Sequence, residues 1–269
     1  MIELGLSPEY LGIARAGEAV DHVLCAVGLA VHPGVTVGEL DAIAGETLAR
    51  LGARSSMKGH SDGQDGGAFP LSLSVCVNDE ISGASDPGRV LERGDLVTTD
   101  LAASLDGWHA DAAHSWCIGG ASADPRRAAL AAASRSVAQA GVMFLNKGQS
   151  WQGALDLMHR AAQRHGVVML DGFFGHGIGR AMHTEPALPC HGAGLDSAGT
   201  EQLARGQAIT IEPVVAWADT GFVRDGWLDR TADGSDACFT EVTVVLEQSR
   251  SVVVAGRDSP GSGEEKAVN

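Results

Sequence analysis

The chain has 269 residues, with 34 acidic and 19 basic side chains and a formal charge of −15. That balance argues against nucleic acid or an anionic membrane as the main partner, and a single Tyr leaves no basic stripe interleaved with aromatics. Cys25, Cys76, Cys117, Cys190 and Cys238 are scattered, form no C-x-x-C pair, and indicate neither a disulfide framework nor a zinc knuckle. A reducing compartment fits them. With no basic segment ahead of an apolar core at the N-terminus, and no apolar run long enough for a bilayer, a cytoplasmic protein with no membrane partner is expected.

In chain order, Ser7-Pro8-Glu9 reads as a helix start, with a Ser cap, Pro at the first position and an acid in the first turn. That helix should run to about Ala30 and stop near His32-Pro33-Gly34. Thr36 with Glu39 is a capping-box pattern that opens a second helix over 37–52. Residues 57–68 are a polar, Gly-rich loop. LSLSVCVN alternates like a strand, and the run from Asp95 to Leu101 reads as another. Asp106-Gly107 between alternating apolar residues predicts a two-residue hairpin turn. Helices are expected over 124–141 and from Trp151 to about His165, then strands in VVML, ITIEPVVAW and CFTEVTVVLE. The end of the chain has the composition of disordered polypeptide, so one domain over 1–257 and a disordered tail over 258–269 are expected. The order helix, helix, strands recurs, which suggests two similar halves packed together.

The hairpin carries the first chemistry. With a turn at 106–107, position 102 faces Asp111, and Asp100 lies diagonally from Asp111 on the same face, roughly 7–8 Å away at the backbone. Two aspartates on a buried face are costly unless a cation or polar partners compensate, and a solvated hairpin face is the alternative. In Gly175-His176-Gly177 the glycines leave the imidazole open to a ligand, and His183 follows. Glu212 in ITIEPVV and Glu241 in FTEVTVV each sit within apolar, β-branched runs, where a buried acid wants a cation. Four carboxylates and one imidazole suit paired Mn, Fe, Co or Zn ions better than a structural zinc, which prefers Cys and His. Two divalent metal ions so held would make hydroxide near neutral pH, so hydrolysis of an amide or peptide bond is the expected reaction.

From SPEYLGIARAGEAV and HPGVTVGELDAIAGE through GDLVTTDLAASLDGWHAD, GHGIGRAMHTEP, ITIEPVV and FTEVTVV, nearly the whole chain resembles the methionine aminopeptidase family in its shorter, type I form. The resemblance implies an α+β, pita-bread (creatinase/aminopeptidase) fold, in which two pseudo-symmetric halves surround a binuclear metal site. It implies that Asp111 and Glu241 bridge both ions, that His176 and Glu212 complete one ion's shell, and that Asp100 completes the other's. Glu212 would also be the general base, and His183 would contact the substrate and its developing oxyanion. A monomer acting on a peptide or small amide is expected.

Three stretches depart from the family pattern. Family members carry a His in a C-H-G-type segment that contacts the scissile amide. Here the segment reads Asn78-Asp79-Glu80-Ile81-Ser82-Gly83-Ala84, and Ser82 takes that place once a single-residue gap is allowed. A hydroxyl can donate a hydrogen bond but cannot shuttle a proton near neutral pH; His60 or His109 are candidates to replace the missing imidazole. The pocket loop MKGHSDGQDGGAFP has no Tyr, and Ser74 stands where a pocket Cys is often found. Met182 replaces the usual aromatic before His183, Thr184 replaces an acid, and Trp227 remains at a pocket-wall position. Three readings follow: an aminopeptidase for methionine or another small residue, a divergent relative with a different amide or dipeptide substrate, and a non-catalytic binding module. The last should have lost metal ligands first, and all five are present.

Overall fold

In the computed structural model, which describes residues 6–61, 67–145, 150–190, 203–247 and 250–257, two pairs of helices each pack on their own apolar cluster. The expected tail over 258–269 and part of the pocket loop lie outside the described residues. A 3-10 turn at Pro8–Tyr10 leads into α1 (Leu11–Ala30). Ser7 is not the side-chain cap the sequence suggests. Its hydroxyl makes no capping bond, and its N–H donates to Glu247 Oε1 at 2.7 Å. α2 (Val37–Leu51) has the expected capping box, with Glu39 N–H donating to Thr36 Oγ1 and Thr36 N–H to the Glu39 carboxylate.

α3 (Pro125–Leu145) and α4 (Trp151–His165) repeat the arrangement, with Ser150 capping α4. Among the described helices, α3 alone is long and apolar enough to cross a bilayer, and half of that stretch is buried inside the fold. It is a core helix, packed on α4 through Leu130, Val137 and Leu155 in the second cluster.

The first half supplies β1 (Arg54–Ser55), β2 (Ser74–Val77), β3 (Glu80–Gly83), β4 (Leu96–Leu105) and β5 (Trp108–Cys117). The second supplies β6 (Val168–Met169), β7 (Phe174–Gly177), β8 (Thr184–Pro189), β9 (Ala208–Ile211) and β10 (Val214–Ala216). It continues with β11 (Phe222–Asp225), β12 (Leu228–Thr231), β13 (Ala237–Phe239), β14 (Val242–Leu246) and β15 (Ser251–Ala255). One sheet runs β1-β4-β2 with β5 paired to β4, and another runs β15-β14-β9-β7-β8. They meet at a seam. Ala113 of β5 and Glu241, just ahead of β14, exchange backbone hydrogen bonds of 3.2 and 3.0 Å. Thr243 Oγ1 accepts from Asp111 N–H at 3.0 Å and donates to the Asp111 carbonyl at 2.7 Å. A smaller sheet, β11-β12-β3, stands beside them.

Asp106 (φ 51°) and Gly107 (φ 73°) are both left-handed, as a type I′ turn requires, and they lock Ala102 opposite Asp111 in the expected register. Two strands expected to be continuous are broken. ITIEPVVAW divides into β9 and β10 at Glu212-Pro213, because Pro213 has no N–H for the ladder. CFTEVTVVLE divides at Thr240-Glu241. Both glutamates therefore sit at strand interruptions, not within strands. The first predicted strand is shorter than its alternation suggests, since residues 71–73 stand outside β2.

Candidate metal centre

Register brings the acids together. Asp100 on β4 lies opposite Ala113 on β5, and Ala113 bridges Glu241 on its other side. Directly opposed residues share a sheet face, and Asp111, two residues before Ala113, shares it too. The Ala113 methyl leaves space among the three carboxylates. His176 enters from β7, with its backbone N–H donating to Thr210 Oγ1 at 3.0 Å. Its Nδ1 lies 3.0 Å from the Gly177 carbonyl, an acceptor, so the proton belongs on Nδ1 and Nε2 keeps its lone pair. That Nε2 is 3.6 Å from Glu212 Oε1 and 4.0 Å from Glu241 Oε1. Thr210 Oγ1 donates to Glu212 Oε1 at 3.1 Å, orienting the second glutamate.

Burial, followed by repulsion from neighbouring carboxylates, holds Asp111, Glu212 and Glu241 well above the usual carboxylate range. Burial lifts Asp100 to about 7, although a hydrogen bond with Asp111 opposes the rise. Burial also lowers His176 to about 4, which keeps the imidazole neutral. Oδ1 of Asp100, Oδ1 of Asp111 and Oε1 of Glu241 are buried without hydrogen-bond partners. One ligand atom each from Asp111, His176 and Glu241 lie within 4.8 Å of one another. Crowded, desolvated oxygens beside a neutral imidazole nitrogen are the donor set that divalent transition metals take, so these residues fit such a cation.

Above this floor is a cleft of about 350 Å³. His183 lines it, packed edge-on against His176 at 4.5 Å between ring centroids and against His60 at 5.9 Å. Burial and the nearby His60 and His109 lower the His183 pKa, so it too is neutral and offers one N–H. His60, Met182, Trp227 and Ser82 all line the cleft, as the sequence suggested, with Phe69 stacked edge-on against Trp227 at 5.4 Å. Ser74 is not among the lining residues. It is buried on β2 opposite Asp100, its hydroxyl 3.8 Å from Cys76 Sγ. At Gly83 the backbone has φ 118°, and a Cβ there would fall on the Trp227 carbonyl oxygen. Gly83 therefore cannot carry a side chain into the site, and Ser82 is the β3 residue whose side chain lines it.

Sequence reasoning missed Phe173, Phe174 and the Arg224–Asp229 pair in the cleft wall. The hairpin turn that positions the pair is Gly226-Trp227, with Gly226 left-handed (φ 58°) and Asp225 opposite Leu228, which places Arg224 across from Asp229. Reading Asp225-Gly226 as the turn, by analogy with Asp106-Gly107, would give the wrong register.

A family model described as metallopeptidase family M24 matches residues 12–248, and the chain belongs to that family. Its fold is the pita-bread fold, shared with the crystal structure of methionine aminopeptidase from Thermotoga maritima. That structure aligns with a TM-score of 0.83 at 26% identity, over 94% of this chain and 99% of the other. Methionine aminopeptidase 1 of Mycobacterium tuberculosis is 36% identical over 248 residues, covering 88% of this chain and 89% of that protein. Methionine aminopeptidase of Aquifex aeolicus is 28% identical, covering 94% and 98%. Prolidase from Pyrococcus furiosus, with a TM-score of 0.65 at 17% identity, shares the fold alone.

Proposed function

We propose that the protein is a cytoplasmic, monomeric, two-metal aminopeptidase that removes methionine or another small residue from the N-terminus of peptides. The observation that carries this reading is the convergence of orphaned carboxylate oxygens and a neutral imidazole beneath a cleft of about 350 Å³. The methionine aminopeptidases that match along most of this chain support the substrate class. In this reading Asp100, Asp111, His176, Glu212 and Glu241 would together hold two divalent ions. When bound, the ions supply Lewis acidity and an activated water near neutral pH. Glu212, whose carboxylate Thr210 orients, would serve as the general base towards the attacking water. The neutral His183 donates its N–H to the scissile carbonyl oxygen as negative charge develops there. Trp227 and Phe69 enclose the N-terminal side chain and exclude water.

The test is metal content followed by a peptide panel on the same sample. Loading with Co or Mn should give two ions per chain, and the loaded protein should release methionine from Met-Ala-Ser. No release across a panel of N-terminal residues would overturn the aminopeptidase reading. A second reading, hydrolysis of a different amide or a dipeptide, draws support from the wall at Ser82 and Gly83, which presents a hydroxyl and bare backbone where the family's imidazole is expected. Efficient cleavage of other dipeptides with poor turnover of methionyl peptides would favour it.

A further inference from the structure

We infer that Phe173, Phe174 and Phe222 form an aromatic lip that selects peptides with a large apolar side chain, best of all an aromatic one, at the third residue. This rests on the aminopeptidase reading above and adds a specificity beyond the scissile bond to it. The chain holds six Phe, and Phe69, Phe173 and Phe174 line the catalytic cleft. A fourth, Phe222, packs on Phe173 with ring centroids 5.1 Å apart. Aromatic rings scattered singly over a surface call for no partner, whereas rings gathered at the mouth of a cleft present one continuous apolar contact.

The lip is built from the start of β7 and from the edge strand β11. Phe173 is rooted in the apolar cluster of Ile81, Leu170 and Val214, which holds its ring in place. Phe174 opens β7 two residues before His176, so strand alternation puts both side chains on one face. Phe222 stands two residues from Arg224, a cleft-lining residue, and shares its face of β11. The Phe222 ring lies over bare backbone, since a Cβ on Gly172 would come within 2.6 Å of it. The cleft also differs in exposure from one end to the other. Phe69, stacked against Trp227, is 5% exposed, whereas Phe174 is 45% and Phe222 37% exposed. The N-terminal side chain thus belongs at the closed end, and the rest of the peptide leaves past the lip. From His176 to Phe174 the strand advances about 7 Å, as two residues of extended peptide do. With the scissile carbonyl above His176, the side chain that meets the lip is that of the third residue. A large apolar group there covers the exposed rings and removes both surfaces from water, and an aromatic group adds the attraction of offset or edge-on rings.

The experiment measures binding of unreactive probes to the metal-loaded protein. The first pair is the amides of Met-Ala-Phe and Met-Ala-Ser with the scissile bond reduced to CH2–NH, which resists hydrolysis. The second pair, Met-Ala-Ser-Phe and Met-Ala-Ser-Ser amides reduced in the same way, moves the ring one residue on. Dissociation constants come from calorimetry. In the first pair the Phe probe should bind about tenfold tighter than the Ser probe, and in the second by less than about threefold. Phe222→Ala should cut the first preference to about threefold, and Phe174→Ala/Phe222→Ala should abolish it. Each preference is a ratio measured on one protein, so a general loss of affinity in a variant cancels. Equal affinities within the first pair, a larger preference in the second pair, or a preference that survives in the double variant would overturn the inference. Release of methionine from ordinary Met-Ala-Ser is followed separately. Cleavage without a preference at the third residue sinks only this inference, whereas a preference without any cleavage sinks only the aminopeptidase reading.

Discussion

The floor of the cleft and its wall are built on different principles. The floor residues Asp100, Asp111 and Glu241 stand in one cross-strand arrangement that a two-residue turn and a backbone bridge hold in register. A slip by one residue would turn the carboxylates to the opposite face. The wall gathers side chains from the 57–61 segment, from β3 and from the β11–β12 hairpin, stretches joined by no common ladder except β3 to β12. In the proposed function the floor would set the chemistry, and backbone geometry fixes it. The wall would set the substrate, and single side chains there can change without disturbing the floor.

Breaking the floor should have the largest effect. Asp111→Asn keeps the shape but removes a charge that faces Glu241 and His176, and kcat/KM should fall by about 10³-fold or more. A loss under about tenfold, measured with saturating metal, would move the chemistry away from this cluster.

Metal removal should expose the cost of crowding the acids. Their folded pKa values are raised above the unfolded values near 4. For a carboxyl shifted this way, the native state holds its protons more tightly. The contribution to stability is therefore present at low pH and is lost as pH rises through the folded pKa, about 7 for Asp100. The melting temperature of chelator-treated protein should fall between about pH 5 and pH 8, while metal-loaded protein should not follow that fall. Identical profiles would mean that the acids are compensated by something other than a cation.

The wall has one position as unforgiving as the floor. Gly83→Ala places a methyl against the Trp227 carbonyl at φ 118° and should destabilise the protein by about 3 kcal/mol, read from denaturant unfolding. Elsewhere the wall should yield more gently. His60→Ala removes a ring stacked on His183 and should lower kcat/KM by about fivefold, with unfolding free energy changed by less than about 1 kcal/mol. A loss as large as that of Asp111→Asn would erase the distinction between the two regions.

The same distinction explains what the sequence made legible. The capping box at Thr36, the turn at Asp106-Gly107 and the pairing of Ala102 with Asp111 are local signals, and each appears in the fold as read. The breaks at Glu212-Pro213 and Thr240-Glu241 were readable in part, since Pro213 forbids a ladder bond there, yet the apolar run around it looks continuous. The Ser7 cap failed because its hydroxyl turns to a distant acid, Glu247, which also accepts its N–H, a competition that local sequence does not display. Ser74 was placed in the pocket by position along the chain, but strand pleating and the neighbouring Asp100 bury it beneath. Arg224 and Asp229 went unnoticed because a charged pair on a hairpin looks like any solvated surface until the fold closes a cleft over it.

The seam between the two sheets has a consequence for how the molecule comes to life during synthesis. The hydroxyl of Thr243 that braces Asp111 lies 132 residues downstream of it. A chain still emerging from the ribosome displays Asp100 and Asp111 long before Glu241 exists. The N-terminal segment is likewise pinned late, by Glu247 to Ser7, and Asp21 waits for Gly256 and Arg257. A partly made copy thus lacks the assembled acid cluster, which is complete only with the last strands.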